Sequence, residues 1–303
     1  MQAGFYHTNA PVWQHCFVAS TLDHLSFVST VTCSKGEGLP QWADQTSMDK
    51  TPTLSQKFFA ETLGTAFLVL IGPGSIPATL LLINGSAGKA TFTMADLGMI
   101  GLAFAVAIAA MVYTIGHISG CHINPAVTLA FAFTKRIAWS EAAVYIIAQF
   151  IGALLGALGI ALIFGSSAAA TIGLGPTNFN DASTSYLQAT AIEIVGTFLL
   201  LFVIMGTAVD GRAPAGWAGL IIGLIVAGEV IVMGPITGPS LNPARTFGPA
   251  VLQVLFGGTY NLAHLVVYFV GPIVGAVLGV LAYDFITRAR AAAKSVASAV
   301  GGK

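Results

Sequence analysis

The chain has 303 residues, of which 55% are hydrophobic and only 8% charged, and its formal net charge is zero. A water-soluble domain of this size would be about a quarter charged, so the composition excludes an ordinary soluble protein. The neutral charge and the lack of a basic stripe argue against a nucleic-acid or acidic partner. Cys16, Cys33 and Cys121 show no CxxC spacing, so we expect no disulfide framework, no metal site and no cofactor.

Residues 1–56 differ in composition from the rest of the chain and are predicted to form a disordered N-terminal extension. The first 47 residues are polar, and they lack the basic start and the continuous apolar core of a signal peptide. Met48 opens the stretch MDKTPTLSQKFFAETLG just before the first apolar segment, so we consider it an alternative start of translation. A regulatory tail is the other interpretation of this extension.

Six apolar stretches are long enough to cross the hydrocarbon core of a bilayer, which takes about 20 helical residues. They cover residues 58–83, 97–116, 142–164, 187–209, 216–234 and 262–286. Two further apolar runs, 125–134 and 243–256, are too short to span and are predicted to be re-entrant half-helices. The sequence therefore predicts an all-α membrane protein with six transmembrane helices and two half-helices.

The positions of the basic residues predict the orientation, because Lys and Arg are retained on the cytoplasmic side of a membrane. If the N-terminus is cytoplasmic, only Lys89 and Arg245 lie on the outer side, and every other Lys and Arg lies inside. We therefore predict cytoplasmic N- and C-termini, with residues 288–303 as a basic cytoplasmic tail. The expected location is the plasma membrane.

The two halves of the chain repeat one another. FFAETLGTAFLVL in the first span matches ATAIEIVGTFLLLF in the fourth, and GHISGCHINPAVTL matches GPITGPSLNPARTF. We assign repeat one to residues 57–165 and repeat two to residues 187–287, within one domain at 57–287. Because an odd number of spans separates the copies, the repeats have opposite topology. The two Asn-Pro-Ala triplets then enter the membrane from opposite faces.

Each Asn-Pro-Ala triplet is predicted to begin a helix, since Asn is a preferred N-cap and Pro suits the first helical position. A helix that begins in mid-membrane leaves free N–H groups and a partial positive charge, which is tolerated only in protein or beside a water-filled cavity. Two facing starts, with asparagine NH2 groups donating to a passing molecule, would admit small polar neutral solutes and repel cations and protons. This constriction comprises Asn124, Pro125, Ala126, Asn242, Pro243 and Ala244.

The paired motifs SGCHINPAV and GPSLNPART, with Glu61 in span one and Glu193 in span four, resemble those of the aquaporin and aquaglyceroporin family of major intrinsic proteins. The resemblance covers roughly residues 56–287. It implies a passive channel rather than an enzyme, and a homotetramer in the lipid bilayer with one pore per subunit. It also implies a narrow outer selectivity filter, whose residues by position are Phe104, Val230, Pro239 and Arg245.

In that family, certain positions distinguish water channels from glycerol channels. In this chain, the residues at those positions indicate different selectivities. Water-selective members usually have His where this chain has Val230, which predicts a wider and less polar filter. Thr246 after the filter arginine, Ala250, and the pair Tyr268 and Phe269 instead resemble the water-channel branch. We expect a water channel that also passes small neutral solutes, with a glycerol or small-solute facilitator as the alternative.

Carboxylates within the spans are also typical of a different function, proton-coupled transport. The symmetric positions of Glu61 and Glu193 predict that they accept hydrogen bonds from the re-entrant loops, with His122 orienting its own loop; a proton relay is the other interpretation. Glu229 lies beside Val230, and three structural interpretations are open: an ion pair near the outer interface, a hydrogen bond to loop backbone, or a position that faces a neighbouring subunit. A fourth hypothesis is that Glu229 titrates and so alters permeability. These groups keep a proton-coupled carrier as the less favoured function.

Overall fold

In the computed structural model, the backbone is described for residues 16–23, 26–33, 51–85 and 90–300, and the side chains for residues 51–85 and 90–287. The chain divides into two compact units, Met1–Thr51 and Pro52–Lys303.

The first unit contains a pair of antiparallel strands, β1 (Cys16–Asp23) and β2 (Ser26–Cys33). The sequence analysis predicted no regular structure here, but both segments are rich in Val, Thr and Phe, which favour extended backbone. The rest of the extension up to residue 50 lies outside the described residues, so its disorder stays a prediction.

Regular structure in the described part of the second unit is helical. The helices are α1 (Leu54–Ile71), α2 (Ser75–Gly85), α3 (Met94–Ser119), α4 (Pro125–Phe133), α5 (Trp139–Phe164), α6 (Ala168–Thr171), α7 (Tyr186–Ile204), α8 (Ala218–Thr237), α9 (Pro243–Leu255) and α10 (Leu265–Val300). A π-helical turn, Met205–Val209, extends α7, and a 3-10 turn, Leu262–His264, precedes α10.

Six segments of the described chain are long and apolar enough to cross a membrane, which confirms the predicted all-α membrane fold. The segments are Leu54–Gly85, Met94–Ser119, Trp139–Phe164, Tyr186–Val209, Ala218–Thr237 and Leu262–Thr287. The first begins at Leu54 rather than at the predicted residue 58, because Thr53 and Gln56 form a capping box that starts α1 there. The two short apolar runs are the helices α4 and α9, which do not reach spanning length.

The inverted repeat appears as matched contacts in the two halves. Helix α1 packs against α3 and α5, and its counterpart α7 packs against α8 and α10, while α3 and α8 join the two repeats. Tyr145 Oη in α5 donates to Ser119 O at 2.7 Å, and Tyr268 Oη in α10 donates to Thr237 O at 2.8 Å. Both tyrosines thus hold the chain at the point where a helix gives way to a re-entrant loop.

Glycines allow the helices of each repeat to approach closely. A Cβ atom at Gly152 of α5 would lie 2.2 Å from Thr62 O of α1, and a Cβ atom at Gly275 of α10 would lie 2.3 Å from Ile194 O of α7. Small residues at such crossings let two backbones pack directly. Gly152 and Gly275 therefore pack within one protomer, each against the first helix of its own repeat.

Replacing Gly275 with Ala should destabilise the protein, because the added methyl group meets the rigid backbone of α7. We expect a cost of about 1–3 kcal/mol, which is usual for overpacking. Gly228→Ala in α8 is the matched control, since nothing lies within 4 Å of the added atom. Thermal unfolding in detergent measures both; equal melting temperatures for the two variants would contradict the close crossing.

Candidate functional site

The half-helices begin at the two predicted asparagines. Asn124 has extended backbone, its Oδ1 accepts from Ala126 N at 2.9 Å, and Pro125 fills the first helical position. Asn242 repeats this arrangement, and its Oδ1 accepts from Ala244 N at 3.0 Å. Pro243 likewise occupies the first helical position of α9. The side-chain oxygen of each asparagine therefore satisfies N–H groups that the start of the helix leaves free.

The side-chain nitrogens of the same asparagines join the two half-helices. Asn124 Nδ2 donates to Leu241 O, and Asn242 Nδ2 donates to Ile123 O, each at 2.8 Å. The prediction that these NH2 groups serve a passing molecule needs amendment, because one hydrogen of each is already used. The second hydrogen of each amide makes no hydrogen bond within the described residues. The carbonyls are brought into reach by left-handed backbone, with φ 43° at Ile123 and 57° at Leu241.

A buried carboxylate holds the first re-entrant loop. Glu61 is 0% exposed, and its Oε1 accepts from Ser119 Oγ at 2.6 Å and His122 N at 2.9 Å. Its Oε2 accepts from Ile123 N at 2.6 Å and from Gln149 Nε2 at 2.8 Å. Hydrogen bonds to a charged acceptor are stronger than those between neutral groups, so four donors hold this loop firmly.

Glu193 does the same for the second loop. It is 0% exposed, and its carboxylate accepts from Ser240 N and Leu241 N, each at 2.9 Å. Both glutamates thus contact the two residues that precede the asparagine of their own repeat.

Three polar residues, one each from the first loop, α4 and α5, form a second network. His122 Nδ1 lies 3.1 Å from Thr128 Oγ1, which also receives a hydrogen bond from Gln149 Nε2 at 2.9 Å. The sequence analysis missed Gln149 and Thr128. Gln149 could have been found as a lone amide in an otherwise apolar span, since polar side chains within a membrane span are rare and usually have a structural or functional role.

Two cavities meet at the predicted filter. The first, of about 230 Å³, lies beside the asparagines and extends past Phe131 and Val209. The second, of about 550 Å³, is lined by the start of α3 and by Pro176, Thr177 and Asn178. Among the described residues, the ones that line both cavities are Phe104, Val230, Pro239 and Arg245. The four positions carried over from the family resemblance therefore lie together where the cavities join.

Arg245 is held in place at this junction. It is 3% exposed, its Nη1 donates to Gly175 O at 2.8 Å, and its Cζ lies 5.0 Å from the centroid of the Phe104 ring. Its Nε has no hydrogen-bond partner among the described residues. Gly175 has φ +77°, and a Cβ atom there would lie 2.3 Å from Pro73 O, so only glycine fits. The connector between α6 and α7, which sequence reasoning left out of the site, therefore positions the arginine.

Glu229 lies inside the protomer and outside the pore lining described above. It is 3% exposed, and neither carboxyl oxygen has a hydrogen-bond partner among the described residues. This excludes a bond to loop backbone and a side chain that faces a neighbouring subunit. The hypothesis that Glu229 titrates and alters permeability stays a prediction.

Replacing Glu61 with Gln should lower stability more than the same change at Glu141. The neutral amide introduced by Glu61→Gln cannot accept all four hydrogen bonds, and losing a bond to a charged group costs about 1.5–3 kcal/mol. Glu141 makes a partly exposed ion pair with Lys57 at 2.6 Å, which is worth at most about 1 kcal/mol. Thermal unfolding of both variants measures the difference, and a larger loss for Glu141→Gln would show that the carboxylate does not hold the loop.

Comparison with known proteins identifies the family. The sequence model of the family described as Major intrinsic protein matches residues 48–283. The chain is 46% identical over 243 residues to aquaporin AqpM of Methanothermobacter marburgensis, covering 78% of this chain and 98% of the relative. It is 47% identical over 247 residues to the probable aquaporin AqpM of Archaeoglobus fulgidus, covering 78% and 99%. The solved structure of the aquaglyceroporin from Plasmodium falciparum matches with a TM-score of 0.66 at 26% identity, over 77% of this chain and 96% of that one. The chain belongs to the major intrinsic protein family and is a membrane channel for water or small solutes, not an enzyme.

Proposed function

We propose that the protein is a passive water channel that also passes small neutral solutes and excludes ions and protons. The observation that carries this proposal is the junction of the two cavities, where Phe104, Val230, Pro239 and Arg245 line both. A molecule that crosses from one cavity to the other must pass these four side chains and then the asparagine pair.

The polar groups along this route suit a small neutral hydrogen-bonding molecule. Each asparagine amide keeps one free hydrogen, and Arg245 keeps donors that Gly175 does not use. The N-terminal ends of α4 and α9 face this region and carry partial positive charge. Together with the fixed charge of Arg245, these ends make the passage unfavourable for cations and protons.

The proposed selectivity for water over glycerol is supported by a small number of residues. Thr246 is 0% exposed and its hydroxyl donates to Ser240 Oγ at 2.6 Å, so this position stabilises the second loop. Tyr268 bonds Thr237 O, and Phe269 stacks on Phe150 with ring centroids 5.9 Å apart. These residues support the water-channel branch. Val230, which offers no polar donor, supports leakage of small solutes.

A glycerol facilitator is the second candidate, and the solved aquaglyceroporin among the similar structures favours it. A proton-coupled carrier is less favoured, because Glu61 and Glu193 are occupied by loop N–H groups. We further propose a homotetramer in the plasma membrane with cytoplasmic termini. This arrangement follows from the family resemblance and the distribution of Lys and Arg.

Introducing His at Val230 should make the channel more selective for water. The imidazole narrows the filter and adds a polar group, so we expect glycerol permeability to fall by about tenfold, comparable to the effect of one group in a pocket. Val230→Ile is the control that adds bulk without a donor. Stopped-flow light scattering of liposomes measures both permeabilities; an unchanged glycerol permeability in Val230→His would place residue 230 outside the filter.

The wild-type protein in the same assay tests the proposal itself. Fast shrinkage in an impermeant osmolyte with slow glycerol uptake is the expected result. Glycerol uptake comparable to water flow would favour the facilitator, and shrinkage no faster than that of empty liposomes would refute both.

A further inference from the structure

Three buried hydroxyls, which we call the hydroxyl chain, link the connector between α6 and α7 to the second re-entrant loop. Thr177 Oγ1 lies 2.5 Å from Thr246 Oγ1, and Thr246 Oγ1 donates to Ser240 Oγ at 2.6 Å. Ser240 Oγ donates in turn to the backbone carbonyl of Asn242 at 2.7 Å. The three residues are at most 5% exposed, so the hydroxyl chain lies inside the protein and ends at an asparagine of the constriction.

The direction of the hydroxyl chain follows from the number of hydrogens, because each hydroxyl has one hydrogen to donate. The hydrogen of Ser240 is used by the carbonyl of Asn242, so Ser240 accepts from Thr246. The hydrogen of Thr246 is thereby used as well, so Thr177 is the donor in the contact between the two threonines. Removing the Thr177 hydroxyl therefore leaves a buried acceptor on Thr246 without its donor.

The first repeat holds the carbonyl of its own asparagine with residues of that repeat. Thr128, which corresponds to Thr246, donates directly to the carbonyl of Asn124 at 3.1 Å. Thr128 in turn accepts from Gln149 Nε2 of α5 at 2.9 Å. In the second repeat the donor is instead Thr177, which lies in the connector between the repeats. The connector therefore contributes through these bonds to the second half of the constriction and not to the first.

The same short segment of the connector also holds the filter arginine. Gly175 O accepts from Arg245 Nη1 at 2.8 Å. Two residues further along the connector, Thr177 donates to Thr246, the residue directly after the arginine. One bond alone would let the two segments pivot about it, whereas two bonds fix both their separation and their relative orientation. Thr177 also lines the second cavity, so this double attachment lies at the approach to the filter.

We infer that Thr177 is a positioning residue that sets the selectivity of the filter through the hydroxyl chain. The inference rests on the proposed function, because it concerns the passage of water and glycerol. Without the bond to Thr246, only the Gly175 carbonyl joins the Arg245 side chain to the connector, and its Nε has no partner among the described residues. Water is small enough to pass whichever position the guanidinium takes, but glycerol passes only when the guanidinium moves aside.

The experiment measures water and glycerol permeability of the full chain in liposomes by stopped-flow light scattering. Thr177→Val keeps the branched shape of the side chain and removes the hydroxyl, while Thr177→Ala removes it without placing a methyl group against Thr246. Both variants should raise the ratio of glycerol to water permeability about fivefold, the change expected for one lost hydrogen bond. Thr177→Ser keeps the hydroxyl and should retain the wild-type ratio.

A double variant tests whether Thr177 acts through Thr246. Thr246→Val breaks the hydroxyl chain in its middle, so it should raise the ratio at least as much as Thr177→Val does. Because the bond between the two threonines is then already lost, adding Thr177→Val to Thr246→Val should leave the ratio unchanged. Effects that multiply in the double variant would show that the two threonines act independently, and would overturn the inference.

Thr171→Val is the matched control, at an exposed threonine of α6 whose hydroxyl donates to Ser167 O at 3.2 Å. It should keep the wild-type ratio, and thermal unfolding in detergent checks that every variant compared is folded. An unchanged ratio in folded Thr177→Val and Thr177→Ala, or a Thr177→Ser ratio as high as theirs, would overturn the inference and leave the proposed function intact. A wild-type protein that conducts no water would instead refute the proposed function, and this inference with it.

Discussion

The rest of the structure depends on one reciprocal contact, in which each asparagine donates to the carbonyl that precedes the other. Asn124 Nδ2 bonds Leu241 O and Asn242 Nδ2 bonds Ile123 O, both at 2.8 Å. A polar group left unpaired in a membrane costs several kcal/mol, so two broken helices are stable in mid-bilayer only when their loops satisfy one another. The contact joins the two halves of the protein and leaves one amide hydrogen of each asparagine unused beside the first cavity.

This contact requires the loops to be shaped before they meet. Left-handed backbone at Ile123 and Leu241 turns their carbonyls toward the opposite half, and Glu61 and Glu193 fix the preceding N–H groups. The same geometry places Arg245 three positions after Asn242 and beside the Phe104 ring. Because the carboxylates are engaged in these bonds, we propose that their role is to support the loops.

Hydropathy and the repeated motifs predict most of the fold, since span length and helix starts depend on local sequence. The six spans, the half-helices and the symmetric placement of Glu61 and Glu193 all follow from such patterns. Contacts between distant segments could not be predicted. Arg245 bonds Gly175 and His264 bonds Asp181, and in each case the partner lies in a connector without a strong motif. The environment of Glu229 could not be predicted either, because the position of a residue in a helix does not determine which other side chains pack against it.

The central claim is that the positive half-helix ends and Arg245 admit water but not protons. The most direct test records osmotic water flow and proton flux in the same liposomes, with a pH-sensitive dye enclosed. The account predicts water flow far above that of empty liposomes and proton flux equal to theirs. Proton flux that rises with water flow as more protein is reconstituted would contradict it.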